Sequence, residues 1–129
     1  MLKISIIQIG KTKDSGLEQL ILEFYKRIGA SVNHDIITVK SEKDLWSKVP
    51  ANAYLIALED SGKEMTSVEL SQFIEERRNQ GDSHLVFLIG PVDGFSSFET
   101  EPELKLSLSK MTFSHQTIRL LLAEQIYRA

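Results

Sequence analysis

Short apolar runs and helix-spaced apolar residues alternate along this chain from its first residues onward. Residues 2–9 form a β-rich apolar run that Gly10 closes, and this pattern predicts a strand. Ser15 and Glu18 have the spacing of a capping box, so we expect a helix to begin there. Apolar side chains then mark one face of that helix, at Leu17, Leu20, Ile21, Phe24 and Ile28.

The middle of the chain contains two runs that are apolar throughout. Residues 35–39 predict a short strand, and a short helix is expected from Ser41 to just before Pro50. Residues 53–58 (AYLIAL) and His84–Ile89 (HLVFLI) carry apolar side chains at nearly every position. Such runs favour parallel strands that are covered by other elements on both faces.

The remaining elements complete an alternation of strands and helices. Thr66 and Glu69 form another capping-box pattern, and Gly81 is expected to end that helix. Residues 104–108 predict a fifth, weaker strand. A last helix is expected from about His115, with helix-spaced residues at Ile118, Leu121, Leu122, Gln125 and Ile126. The order predicts an α/β fold, a mostly parallel sheet flanked by helices.

Length and composition narrow the class of protein. The chain has 129 residues, so we expect residues 1–129 to form one domain. It contains no cysteine, which excludes disulfides, thiolate metal sites and a cysteine nucleophile. The three histidines are far apart and lack ligand spacing, so we expect no metal. Neither a signal peptide nor a membrane-length apolar run is present, and we expect a cytoplasmic protein with no membrane partner.

The charge of the chain is distributed unevenly. The formal net charge is −3, which argues mildly against a general nucleic-acid binder. The C-terminal segment, in contrast, carries more basic than acidic side chains, with Glu124 opposed by Lys105, Lys110, Arg119 and Arg128. The charge pattern is typical of a solvated basic helix, and it also offers a local contact for RNA.

Ligands of parallel α/β sheets bind beyond the carboxyl ends of the strands. In this chain those ends are Gly10, Leu58 with Glu59, the turn 90–94 and residues 109–115. Glu59 and Asp60 are neighbours whose side chains point apart along a strand end, and we interpret them as surface carboxylates.

Common catalytic and nucleotide motifs are absent from the sequence. The GKT string at Gly10 lacks the upstream glycine of a P-loop, and GPVDG at residues 90–94 is not GxGxxG. No GxSxG elbow is present. Composition alone also fits a small flavodoxin-like binding or signalling domain, but the missing phosphate loop argues against that alternative.

Several strings, in order and at matching spacings, together resemble one known family. They are ISIIQIGKTK, FYKRI, IALEDSGKEMTS, LVFLIGPVDGF, SLSKMTFSH and IRLLLAEQIYRA. This set, which covers nearly all of the chain, resembles the ribosomal large-subunit pseudouridine N3-methyltransferases of the SPOUT class. The resemblance implies a C-terminal trefoil knot, S-adenosylmethionine as methyl donor, a homodimer, and ribosomal RNA in the assembled ribosome as substrate.

The resemblance also implies site residues. The cofactor is expected against three loops, at Leu58, Glu59, Gly90, Pro91, Gly94, Ser109, Lys110, Met111, Thr112, Phe113 and Ser114. His115 and Arg119 lie one helical turn apart and are the ionisable groups nearest to the last loop. We therefore predict catalytic roles for both, because a base or a polarising cation would assist loss of the N3 proton. A helix cap for His115 and a phosphate contact for Arg119 are the alternatives.

Two departures from the family pattern leave a second interpretation open. The family carries a second glycine where this chain has Pro91, which removes a backbone N–H. The family pattern also continues beyond the YRA string with a short tail of aromatic and histidine residues, so we expect this 129-residue form to be slow or inactive. The alternative is a non-catalytic knotted protein that binds cofactor or ribosome without turnover.

Overall fold

The computed structural model describes residues 2–28, 32–91 and 94–129. Strands and helices follow in the order that the sequence predicts, and none of these helices has the length and apolarity needed to cross a membrane. The elements are β1 (Lys3–Ile9), α1 (Ser15–Ile28), β2 (Asn33–Val39), α2 (Glu42–Ser47), β3 (Tyr54–Glu64), α3 (Ser67–Asn79), β4 (His84–Ile89), β5 (Leu104–Ser107) and α4 (His115–Arg128).

The five strands form one sheet in the order β2-β1-β4-β3-β5, and every pairing is parallel. The predicted α/β class and parallel sheet are therefore confirmed. Because all strands run in one direction, they all begin at one edge of the sheet, the amino edge, and end at the opposite carboxyl edge. The central strands β1 and β4 are buried along nearly their whole length.

Successive residues of the central strands enter different cores, because side chains alternate between the two faces of a sheet. Ile6 packs in the core beneath α1, α3 and α4, whereas Ile7 packs in the core beneath α2. Phe87 and Leu88 repeat this division on β4. Both faces are therefore covered, which explains why these strands are apolar at successive positions.

Polar caps fix where the helices begin, and one prediction of a cap is wrong. Thr66 and Glu69 form the predicted capping box of α3. At α1 the predicted box of Ser15 and Glu18 is replaced by Asp14, whose Oδ1 accepts from the Leu17 amide nitrogen at 2.9 Å. The carboxylate one residue earlier reaches the free N–H groups of the first turn, so Ser15 already lies inside the helix.

Strand β3 is longer than the run of residues 53–58 predicts. It continues to Glu64, but its pairing with β5 shifts between Leu58 and Lys63. Gly62 lies in this irregular stretch, where a Cβ atom would stand 2.6 Å from the Lys105 carbonyl carbon. The missing side chain lets the two backbones approach, so β3 rejoins β5 after a bulge at the carboxyl edge.

Candidate functional site

A cavity of about 300 Å³ opens at the carboxyl edge of the sheet. It lies beyond the ends of β4 and β5 and beside the bulge of β3, which is where ligands bind in parallel α/β sheets. Its walls contain these residues from the three predicted cofactor loops: Leu58, Glu59, Gly90, Pro91, Gly94, Ser109, Met111, Thr112 and Phe113. The structure thus brings most of the predicted cofactor residues together around one space.

Lys110 and Ser114, which were also predicted to bind cofactor, lie outside the lining of this cavity. The Lys110 ammonium is 3.9 Å from the Glu64 carboxylate, on the exposed surface. Ser114 is the N-cap of α4, where its hydroxyl accepts from the Thr117 amide nitrogen at 3.1 Å. The hydroxyl of Ser114 is therefore occupied in starting the helix.

The wall formed by β3 carries two carboxylates. Glu59 and Asp60 both line the cavity, together with Ser61. Asp60 is exposed, as its interpretation as a surface carboxylate predicts, whereas Glu59 is half-buried. Burial raises the pKa of Glu59, Lys105 opposes this shift, and Asp60 adds to it. The sequence did not reveal the bulge after Leu58. In a regular strand successive side chains point to opposite faces, whereas residues 58–61 all line the cavity.

The loop after β4 is shaped by glycine and by an aromatic ring. A Cβ atom on Gly90 would lie 2.8 Å from the Phe95 ring, so the ring packs directly against the backbone there. Gly94 has a φ of 84°, and its amide nitrogen donates to the Pro91 carbonyl oxygen at 2.9 Å. Val92 and Asp93 of the predicted turn 90–94 lie outside the described residues.

Helix α2 holds this loop from behind. The ring centroid of Trp46 lies 5.9 Å from that of Phe95 and 6.1 Å from that of Phe98. All three rings pack in the core beneath α2. The Glu42 carboxylate accepts from both the amide nitrogen and the hydroxyl of Ser96. The loop therefore leaves the cavity along a path that aromatic packing and hydrogen bonds both define.

The loop after β5 folds on itself before α4 begins. The Ser107 hydroxyl donates to the Ser109 carbonyl oxygen at 2.8 Å, and the Ser109 hydroxyl accepts from the Met111 amide nitrogen at 3.0 Å. The side chains of Met111 and Phe113 remain exposed at 72% and 38%. Serine hydroxyls thus shape the loop, while large apolar side chains remain available near the cavity.

Comparison with known proteins identifies the family. A family model described as a predicted SPOUT methyltransferase matches residues 2–129. This chain is a member of the SPOUT methyltransferase family. Membership implies a methyl-donor cofactor.

Relatives within this SPOUT family match over almost their whole length. The chain is 34% identical to "Ribosomal RNA large subunit methyltransferase H" of Geotalea daltonii, over 98% of this chain and 92% of the relative. Proteins of the same name from Trichlorobacter lovleyi and Bacillus pumilus are 37% and 38% identical. Each of these two alignments covers 99% of this chain and 93% of the relative.

The two predicted catalytic residues occupy different surroundings in this SPOUT protein. His115, at the start of α4, lines the cavity. Arg119 is 2% exposed and lies outside the cavity lining, behind His115. Its guanidinium donates to the Ile9 carbonyl oxygen at 2.6 Å and to the Thr12 hydroxyl at 3.0 Å. The structure thus places only one of the two side chains at the cavity wall.

Electrostatics connects these two residues. Burial lowers the pKa of His115, and the neighbouring charges of Arg119 and Lys13 lower it further. A lowered pKa favours the neutral imidazole, which can accept a proton at neutral pH. Among the described residues, no group of three or more His, Cys, Asp or Glu side chains could hold a metal ion. The cavity lining therefore offers the His115 imidazole, two carboxylates and the hydroxyl groups of Ser61, Ser109 and Thr112.

Proposed function

We propose that this chain transfers a methyl group from S-adenosylmethionine to N3 of a pseudouridine in large-subunit ribosomal RNA. The observation that carries the proposal is the convergence of three loops and His115 on one cavity in a SPOUT methyltransferase. The names of the relatives, which match nearly the full chain, support a ribosomal RNA substrate. The family resemblance of the motif strings supports the choice of pseudouridine N3.

The cavity residues fit this cofactor chemically. A volume of about 300 Å³ lies at the lower end of the range for small-molecule sites. Leu58, Leu106 and Ile118 provide apolar surface for the adenine. Glu59 and Asp60 provide negative charge for a ligand that carries a sulfonium and an ammonium group. When bound, the cofactor supplies an electrophilic methyl group, and the protein's task is mainly to position the nucleophile.

His115 is the proposed catalytic base. Its neutral imidazole, favoured by burial, would accept the N3 proton of the pseudouridine and so make the nitrogen nucleophilic. Arg119 would act as a positioning residue, because its guanidinium ties α4 to the Ile9 carbonyl and the Thr12 hydroxyl. Its positive charge would also keep His115 neutral before the proton is taken up.

The homodimer, the trefoil knot, the single domain of residues 1–129 and a cytoplasmic location remain parts of this proposal. An exposed apolar strip supports the dimer, since Leu20 and Tyr127 are 53% and 42% exposed. Tyr127 on α4 lies beside Phe24 on α1, with ring centroids 5.6 Å apart, which makes the strip continuous across the two helices. Apolar patches of this kind mark protein contacts.

The first test is calorimetry with S-adenosylmethionine, followed by methyl transfer to assembled ribosomes. We expect saturable binding of the cofactor and slow turnover on ribosomes, with no turnover on free nucleoside. Absence of cofactor binding would contradict the whole proposal. Cofactor binding without turnover on any ribosomal substrate would favour the alternative, a non-catalytic SPOUT protein, for which the proline at position 91 is the supporting observation.

The proposed base has its own test. His115→Gln should lower kcat by roughly 10²- to 10⁴-fold while cofactor affinity is retained, because the base acts only during chemistry. His34→Gln is the matched control, since His34 stacks on Tyr25 far from the cavity. Equal activity of the two variants would exclude His115 as the base.

A further inference from the structure

The basic residues that the sequence singles out near the C-terminus are already engaged. Arg119 is buried, with its guanidinium bound to backbone and hydroxyl oxygens. The other three cations lie beside carboxylates, with Lys105 at 3.6 Å from Glu101, Lys110 at 3.9 Å from Glu64 and Arg128 at 3.2 Å from Glu124. The C-terminal segment is therefore a weaker source of free positive charge than its composition suggests.

Of the described lysines that lack a carboxylate partner, three lie at the carboxyl edge, in the GKTK string and directly after β2. Lys11, Lys13 and Lys40 are exposed, and none of them forms an ion pair with any residue in 2–28, 32–91 or 94–129. Their chain segments meet, because the Gly10 amide nitrogen donates to the Val39 carbonyl oxygen at 2.7 Å. The three lysines thus follow two neighbouring strands at the carboxyl edge.

This lysine surface, formed by Lys11, Lys13 and Lys40, adjoins the cavity through α4. The Lys13 amide nitrogen donates to the Gln116 side-chain oxygen at 2.9 Å, next to His115 in the cavity wall. Arg119 binds both Ile9 and Thr12, so the loop that carries the lysines is fastened to the same helix. The lowering effect of Lys13 on the pKa of His115 agrees with this proximity.

Asp14, the acidic residue in the same loop, does not form an ion pair with the lysine surface. Asp14 directs its Oδ1 to the Leu17 amide nitrogen at 2.9 Å, where it stabilises the start of α1. At the amino edge, in contrast, Lys3 pairs with Asp35 at 3.6 Å. Three cations without carboxylate partners on an acidic chain are suited to a polyanion whose phosphates supply the missing counter-charge.

We propose that Lys11, Lys13 and Lys40 form the phosphate-binding surface that holds the RNA backbone while the target base enters the cavity. The inference rests on the proposed RNA methyltransferase function and adds where the substrate strand lies, from the cavity across the ends of β1 and β2. These side chains would contact phosphates and not the reacting atoms. They would therefore govern affinity for the ribosomal substrate, and Lys11 and Lys40, which do not act on His115, would leave the chemical step unchanged.

The test compares two double variants that remove the same charge from opposite edges of the sheet. Lys11→Gln with Lys40→Gln alters the lysine surface without touching Lys13, whose charge acts on the pKa of His115. Lys26→Gln with Lys48→Gln is the control, because these lysines are also exposed and unpaired among the described residues. Lys26 lies in the last turn of α1 and Lys48 ends α2, so both lie toward the amino edge. Thermal melts of all proteins check that folding is unchanged.

Binding to ribosomes is measured over a series of salt concentrations, together with kcat and KM for methyl transfer. The surface variant should lose roughly tenfold or more in affinity at 0.1 M salt, and its log–log salt slope should become shallower by about 2. Its KM for ribosomes should rise while kcat at saturation and affinity for S-adenosylmethionine are unchanged. The control should retain wild-type affinity and slope.

The outcomes separate this inference from the proposed function. If the surface variant binds ribosomes with wild-type affinity and slope, or if the control loses affinity equally, the phosphate-binding surface is wrong although the methyltransferase function stands. If the unaltered chain binds S-adenosylmethionine but neither binds nor methylates ribosomes, the substrate assignment fails first and the inference falls with it.

Discussion

Polar side chains at the amino edge of the sheet bind one another, whereas many at the carboxyl edge face the cavity or solvent. At the amino edge Ser5 Oγ lies 2.7 Å from His84 Nε2, and Lys3 pairs with Asp35. At the carboxyl edge Glu59 and Asp60 line the cavity, and neither forms an ion pair with a cation of the described residues. Groups that are paired stabilise the fold, and groups left unpaired remain available to ligands.

The positions of the closely packed glycines also distinguish the two edges of the sheet. The close approaches at Gly62 and Gly90 both lie at the carboxyl edge, where chain segments must pass near each other to enclose a cavity. The amino edge, in the residues described, closes instead with side-chain pairs such as the stacked rings of Tyr25 and His34. The carboxyl edge, where the cavity lies, therefore depends on close backbone packing, and the opposite edge depends on side-chain pairing.

The largest expected effect comes from adding one methyl group at the carboxyl edge. Gly62→Ala would place a Cβ atom 2.6 Å from backbone atoms of Lys105, and backbone in a sheet cannot move aside cheaply. We expect the free energy of unfolding to fall by about 3 kcal/mol, measured by urea titration. Gly16→Ala is the control, because its nearest neighbour is a side-chain oxygen of Asp14 at 3.2 Å. Equal stability of the two variants would contradict the proposed backbone contact.

A smaller loss of stability is expected from Arg119→Met. The substitution keeps most of the buried volume but leaves the Ile9 carbonyl oxygen and the Thr12 hydroxyl without their donor. Unpaired buried groups of this kind cost about 2 kcal/mol. Loss of the positive charge should also raise the pKa of His115, which an NMR titration of the ring can follow. An unchanged His115 titration would show that Arg119 does not act on His115 electrostatically.

The smallest effect concerns the pH dependence of stability at the amino edge. Burial lowers the pKa of His84, Lys3 lowers it further, and Asp35 opposes the shift. The unfolded chain therefore takes up a proton first as the pH falls below about 6.5, and stability declines until the folded protein is protonated too. His84→Gln should flatten this decline between pH 7.5 and pH 5.5. A decline as steep as that of the wild type would show that the ring contributes nothing to it.

The sequence was sufficient for the elements whose pattern is local. The runs of residues 53–58 and His84–Ile89 are apolar on successive positions because both faces of the strands are covered, so strand and sheet type follow directly. The capping box at Thr66 is also local, since both of its hydrogen bonds join residues three apart. The parallel sheet and its flanking helices could therefore be predicted without coordinates.

Features that depend on distant contacts could not be predicted. The bulge in β3, where Gly62 meets the Lys105 backbone, brings Asp60 into the cavity lining while its side chain stays exposed. From the sequence, Arg119 is a basic residue on a helix next to a loop. Its hydrogen-bond partners in the structure lie 107 and 110 residues away along the chain. Helical spacing predicted that Arg119 lies one turn from His115, which is correct. The spacing could not predict that only the His115 side chain lines the cavity.

The aromatic contact behind the β4 loop has a practical consequence for experiments on this chain. Trp46 is the single tryptophan of the sequence, it is 7% exposed, and its ring packs against Phe95. Phe95 in turn lies against Gly90 in the cavity wall. Indole emission depends on the surroundings of the ring, so a ligand that displaces the Gly90 segment should alter the fluorescence of Trp46. The chain thus carries an intrinsic optical reporter of occupancy, and titrations can be followed without a label.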